Sequence, residues 1–194
     1  MRLKIVQAGE PMLRGCARAL TAEEIAGDEI QQLIAHMRET MHDAPGVGLA
    51  APQVGLSLQL AVIEDREDYL KDISPEQLGE RERRPVSFHV IINPRITVAS
   101  EATVDFFEGC LSLAGFSAIV PRAQHVRVEC LDERGQARII DASGWYARIF
   151  QHEIDHLQGR LYIDRMRSRT FTSLSNFSRF WQSKTIDEVR TQLD

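Results

Sequence analysis

The sequence predicts an α+β domain spanning residues 1–194, with antiparallel sheets packed around a central helix that carries His-Glu-x-x-His. Three observations predict it. Apolar residues fall at helical spacing near the N-terminus. Several β-rich runs follow, joined by connections short enough to favour antiparallel pairing. A second helical stretch lies beyond those runs, with a weaker helical pattern after it.

Taken in order, Thr21 and Glu24 have the spacing of a capping box, and Asp28 is a second candidate cap. Leu33, Ile34, Met37 and Met41 then follow Ile30 at helical spacing, and this N-terminal helix should stop at "DAPG", 43–46. "LQLAVIE" (58–64) reads as a strand. The charge-dense run 65–85 reads as a solvated loop insertion. Strands are expected at 87–93, 96–108 and 125–132. "DERG" turns the chain into a returning strand at 136–141. Ser143 is placed to cap a helix that runs to about Gln158 and closes at Gly159. Phe171, Leu174, Phe177 and Trp181 give a C-terminal helix, weakened by many Ser and Thr.

Composition narrows the function. Of 194 residues, 43% are hydrophobic and 26% charged, as in an ordinary globular domain. No apolar run is long enough for a transmembrane helix. The first residues lack a signal peptide's apolar core, so the expectation is a cytoplasmic protein without a membrane partner. A net charge of −5 gives little support to DNA binding. Three cysteines, Cys16, Cys110 and Cys130, argue against a disulfide framework.

The chemistry centres on "QHEIDHLQG", 151–159. Positions four apart share a helix face, so His152 and His156 can point at one ion. Glu153 sits about 100° away, by ~3.6 residues per turn, and suits a general base better than a ligand. Two histidines need a third partner. Three residues after Gly159, where one zinc-peptidase pattern places a third histidine, stands Tyr162. A neutral phenol is a poor ligand, so the partner should lie upstream. Cys110, in the Gly-containing turn "FEGCLSLAG" (107–115), can supply a thiolate and leave a coordination position open. Cys130 alternates with charged residues in a strand and reads as a small packed apolar group.

With "GVGLAAPQ" (46–53), "EGCLS" (108–112) and "QHEIDHLQG" in this order, the chain resembles the peptide deformylases over about residues 3–170. "INP" (92–94), "VPR" (120–122) and "ASGWYARI" (142–149) add to the likeness. "SGWYARI" and "SRTFT" look closer to the organellar-like branch. The resemblance implies hydrolysis of the formyl group from N-formylmethionine at the start of nascent chains, releasing formate. It implies one divalent metal per chain, Fe2+ in the cell, with Zn2+, Ni2+ or Co2+ able to substitute.

It also implies roles. Cys110, His152 and His156 would hold the metal, and Glu153 would move the proton. The Gln53 amide and the Leu111 backbone N–H would face the oxyanion. Val47, Gly48, Phe106, Gly109, Trp145, Arg148 and Ile149 would bind substrate. Glu108 and Arg122 would form a pair that braces the Cys110 turn. Two positions depart from the common bacterial pattern: Arg148 replaces an apolar residue and would line the pocket rim or pair with a peptide carbonyl or carboxylate, and Ser117 replaces an arginine. The implied partners are the formylated peptide and, transiently, the ribosome, with the chain as a monomer or weak homodimer. Residues 165–194 carry six basic against three acidic side chains; a solvated face is the simpler reading of that tail.

Overall fold

Thr21 and Glu24 cap each other reciprocally and start helix α1 (Ala22–Ala26). Helix α2 (Asp28–Asp43) follows, with Gly27 rather than Asp28 at its cap. The structure, a computed structural model, describes residues 1–99 and 102–193. Seven strands precede the His-Glu-x-x-His helix: β1 (Gly48–Ala50), β2 (Leu60–Asp65), β3 (Val86–Val98), β4 (Thr103–Gly109), β5 (Phe116–Ala123), β6 (His125–Leu131) and β7 (Ala137–Ser143). Helix α3 (Pro75–Glu80) lies between β2 and β3, helix α4 (Gly144–Leu157) follows β7, and β8 (Thr172–Ser173) comes late.

The strands form two antiparallel sheets, one in the order β1-β2-β3-β6-β7 and one in the order β4-β5-β8. Strand β2 shows why its sequence is apolar at nearly every position. Ala61 and Ile63 face α4, packing with Ala147, Phe150 and Ile154. Leu60 and Val62 face α2, packing with Ile34, Met37 and Met41. A strand covered on both faces loses the alternation of a half-exposed one. Helix α4 is thus held between the larger sheet and the smaller one, which brings Ala118, Val120 and Tyr162 together in its own cluster.

Several expectations are corrected. The run 65–85 is not a simple solvated loop. It forms a 3-10 turn (Glu67–Leu70) and α3, buries Leu70, and returns Arg83 onto the fully buried Asp65 with bonds of 2.8 and 2.9 Å. The strand expected at 96–108 is the end of β3 plus β4; Ser100 and Glu101 lie outside the described residues. Strand β5 was not among the expected strands, and it contains Pro121, a residue that disfavours strand interiors. It is tolerated because β8 pairs only with Phe116 and Ser117, so at Pro121 the strand has one neighbour. Ser143 makes no side-chain cap. Instead, the carbonyls of Gln124 and Arg81 accept the N–H groups of Gly144 and Trp145 at 3.0 and 2.9 Å. The C-terminal helix is present but starts later and is irregular: Phe171 precedes β8, a short helix α5 (Leu174–Asn176) runs into a π-helical turn (Phe177–Trp181), and α6 (Ile186–Leu193) ends the chain's described part.

Gly159 closes α4 at φ +72°, where a Cβ would lie 2.5 Å from the Arg14 carbonyl oxygen. Gly55 also has positive φ, but nothing lies within 4 Å of its missing Cβ. Gly55→Ala should therefore cost about 1–2 kcal/mol, and Gly159→Ala about 3 kcal/mol or more, measured by urea unfolding. Equal losses would show that the Arg14 contact does not matter.

Candidate metal centre

Strand β4 and helix α4 bring the site together. Cys110 follows the last residue of β4, and His152 and His156 lie one turn apart on α4. The Cys110 Sγ lies 3.3 Å from His156 Nε2, and one donor atom from each of the three residues lies within 4.8 Å of the others. Cys130 is not part of this cluster; it packs in β6, where burial pushes its thiol up to about 11. Tyr162 is buried beside His152, its ring 6.4 Å away and nearly parallel. Tyr162 and Cys130 thus pack as parts of the core.

Glu108 orients the first histidine. Its Oε2 accepts from His152 Nδ1 at 3.0 Å, which leaves the other ring nitrogen for the cluster. Arg122 donates to both Glu108 oxygens, at 2.9 and 3.0 Å, and to Asp155 at 2.5 Å. Arg165 binds Asp155 from the far side. Burial alone would raise the Glu108 carboxyl, but Arg122 and His152 hold it well below the usual carboxylate range. The pairing of Glu108 with Arg122 is present, and it extends further than expected, through Asp155 to Arg165. No sequence period signals that extension; Asp155 is conspicuous only for its place beside His156.

Arg148 lines the cleft, buried rather than exposed at its rim. It is 2% exposed, and its donors go to Glu108 at 2.7 Å and to the carbonyls of Val120 and Val104 at 2.8 and 2.6 Å. Phe106 also differs from expectation. Strand alternation turns it toward Trp145 and Arg148, and Phe107 lines the cleft in its place. Ser117 is buried, and its hydroxyl has no partner among the described residues.

The cleft, of about 590 Å³, is lined by Val47, Gly48, Gly109, Trp145, Ile149 and the cluster residues Cys110 and His152. Gln53 is fixed end to end. Its Oε1 accepts from the Ala50 N–H at 2.8 Å, so its Nε2 faces Ser112 Oγ at 3.3 Å and Cys110 Sγ at 3.6 Å. Ser112 and Gln7, whose Nε2 binds the Leu111 carbonyl, are site residues that sequence reasoning missed. Glu153 is 3% exposed, and its Oε2 has no partner among the described residues. Burial pushes its carboxyl up to about 7, with His152 pulling part of the way back. Gly48 makes room for it, since a Cβ there would lie 2.2 Å from Glu153 Oε1.

A thiolate and two imidazoles suit a divalent ion such as Fe2+ or Zn2+, and three protein ligands leave a position open. The oriented His152 ring and the unpartnered Glu153 oxygen beside the cluster fit such an ion. The fold and this donor set define the class: a mononuclear metallohydrolase architecture with a carboxylate next to the metal ligands.

Comparison with known proteins narrows the class. The polypeptide deformylase family model matches residues 2–172. Chloroplastic peptide deformylase 1A of Solanum lycopersicum is 46% identical over 172 residues, 89% of this chain and 62% of that protein. The mitochondrial peptide deformylase of Homo sapiens is 42% identical over 170 residues, 88% of this chain and 70% of that one. The crystal structure of a class I type b peptide deformylase from Acinetobacter baumannii with Met-Ala-Ser bound has 31% identity and a TM-score of 0.76, covering 86% of this chain and 99% of that one. The chain belongs to the polypeptide deformylase family, and it spans less than two thirds of the tomato relative's length.

Two substitutions test the geometry. Gly48→Ala must displace the end of a flexible glutamate side chain, which is cheap for folding. It should lower stability by less than about 1 kcal/mol and cut turnover at least about 100-fold by moving the Glu153 carboxylate. Retained turnover would separate Gly48 from Glu153. Arg122→Ala leaves Glu108 and Asp155 short of a buried partner and should cost about 3–5 kcal/mol in denaturant unfolding, with faster metal loss to a chelator.

Proposed function

We propose that this protein hydrolyses the formyl group from N-formylmethionine at the N-terminus of nascent polypeptides, releasing formate and a free amine. One observation carries the reading beyond family membership: the Cys110–His152–His156 cluster, the Glu153 carboxylate and the Gln53 amide converge on one apolar cleft. The A. baumannii relative binds Met-Ala-Ser, the form of peptide left after deformylation.

Cys110, His152 and His156 would hold a single divalent ion, Fe2+ in the cell, with Zn2+, Ni2+ or Co2+ as substitutes. When bound, the ion supplies Lewis acidity toward water and the formyl carbonyl. Glu153 accepts a proton from the attacking water and returns it to the leaving nitrogen as the C–N bond breaks. The Gln53 Nε2 and the Leu111 N–H donate to the oxygen that gains charge at the formyl carbon; no acceptor takes the Leu111 N–H among the described residues. The wall of Val47, Trp145 and Ile149 suits the methionine side chain. Phe106 and Arg122 lie behind this wall while Glu108 and Arg148 reach the cleft, and all four act through packing and hydrogen bonds.

We read residues 1–194 as one catalytic domain that works in the cytoplasm, as a monomer or weak homodimer in transient contact with the ribosome. No helix among the described residues is long and apolar enough to cross a membrane.

Formyl-Met-Ala-Ser given anaerobically to Fe2+- or Ni2+-loaded protein should yield stoichiometric formate. Glu153→Ala should keep its metal and lose about 10²–10⁴-fold in kcat. Cys110→Ala should lose metal by elemental analysis, whereas Cys130→Ala should keep it. A fully metal-loaded wild type that releases no formate would overturn the proposal.

A further inference from the structure

The two donors assigned to the oxyanion come from different parts of the chain. Gln53 lies in a 3-10 turn (Ala51–Val54) after β1. Leu111 lies in the turn after β4 that also carries Cys110. Two donors serve one oxygen only when their spacing is right, and donors aimed in advance need no reorganisation during the reaction. The two turns must therefore be held in register.

Residues 5–8 lie against both turns. The Val6 N–H donates to the Gln53 carbonyl at 2.9 Å, and the Ala8 N–H donates to the Ser112 carbonyl at 2.7 Å. Between them, the Gln7 side chain spans the second turn. Its Nε2 donates to the Leu111 carbonyl at 2.9 Å, and its Oε1 accepts the Ala114 N–H at 3.3 Å. The partners are one acceptor and one donor, so an amide can satisfy both where a carboxylate cannot. The arm itself is anchored. The Leu3 N–H donates to Thr40 Oγ1 at 2.8 Å, and Leu3 and Ile5 pack against the cluster that holds Met37 and Leu49.

Gln7 is exposed. Water competes for both of its bonds, and ordering a long side chain costs rotamer freedom. Stability alone gives little reason for an exposed amide tied at both ends. Position gives one. With its carbonyl held, the Leu111 backbone has less freedom to turn, and its N–H keeps one direction.

We propose that Gln7 is a positioning residue for the reaction: it holds the Leu111 N–H at the spacing from Gln53 Nε2 that the oxyanion requires. This rests on the deformylase reading. The bonded partners of Gln7 are backbone groups of the turn, so it acts through Leu111 and not on the reacting atoms.

The test uses metal-loaded wild type, Gln7→Met and Gln7→Glu. Met keeps the length of the side chain without either bond. Glu keeps an acceptor for Ala114 and loses the donor to Leu111. Formate release from formyl-Met-Ala-Ser gives kcat and KM, titration with Met-Ala-Ser gives product affinity, and amide hydrogen exchange reads the turn. Both variants should lose about tenfold in kcat, a part of what removing a whole donor costs. KM and product affinity should stay within about twofold, with metal content and the urea midpoint as in wild type. Exchange at the Ala114 N–H should quicken in Gln7→Met and not in Gln7→Glu. A kcat within about twofold of wild type in either variant overturns the proposal. A fall in kcat matched by weaker product binding or lost metal also overturns it, because Gln7 would then be a general brace of the cleft. Unchanged Ala114 exchange in Gln7→Met overturns it as well, since the amide would not hold the turn. If wild type itself releases no formate, the deformylase reading fails and the role of Gln7 falls with it.

Discussion

The buried carboxylate of Glu108 is the joint on which the site depends. It sits at the end of β4, two residues before Cys110, and receives hydrogen bonds from Arg122 on β5 and from Arg148 and His152 on α4. One side chain thus ties the strand that delivers the thiol to the helix that delivers the imidazoles. Buried charges cost several kcal/mol each to desolvate, so such a cluster is poor economy for stability alone. Its value is positional. Each carboxylate is satisfied from two or more directions, and the ligand ring of His152 cannot turn without breaking a charged hydrogen bond.

Around that joint, close approach does the rest. The missing side chain at Gly48 lets β1 lie against Glu153, so the carboxylate is buried beside the Cys110–His152–His156 cluster with its Oε2 unpartnered among the described residues. Gln53 is locked through Ala50, which turns its donor end toward Cys110. The segment 66–84 also contributes: Arg81 and Arg83 stack on Trp145 at 5.4 and 5.0 Å, and the Arg81 carbonyl accepts the Trp145 N–H in the helix's first turn. A run whose charge suggested solvent is instead part of the cleft's support.

How much was legible in the sequence follows from the range of each signal. Helix α2, the hairpin of β6 and β7, and α4 were readable because periodicity and turn residues are local. The fold class and the His-Glu-x-x-His helix at its centre were readable for the same reason. The donor cluster was readable because few residue types bind metal well and the neutral phenol of Tyr162 is a poor ligand. Strand β5 was not among the expected strands; it contains Pro121, whose acceptability depends on how far β8 extends. The burial of Arg148 and the turning of Phe106 away from the cleft depend on strand register and on partners some 40 residues distant. The C-terminal helical pattern held from Leu174 to Trp181, while Phe171 stacks on Phe116 before the helical turns begin.

The central claim is that one thiolate, from Cys110, and two imidazoles share a single ion. X-ray absorption spectroscopy of the Zn2+- or Co2+-loaded protein tests it directly. The account predicts one sulfur scatterer at about 2.3 Å and two imidazole nitrogens at about 2.0–2.1 Å for Zn2+, unchanged in Cys130→Ser and with the sulfur gone in Cys110→Ser. A sulfur shell that survives in Cys110→Ser, or is lost in Cys130→Ser, would contradict it.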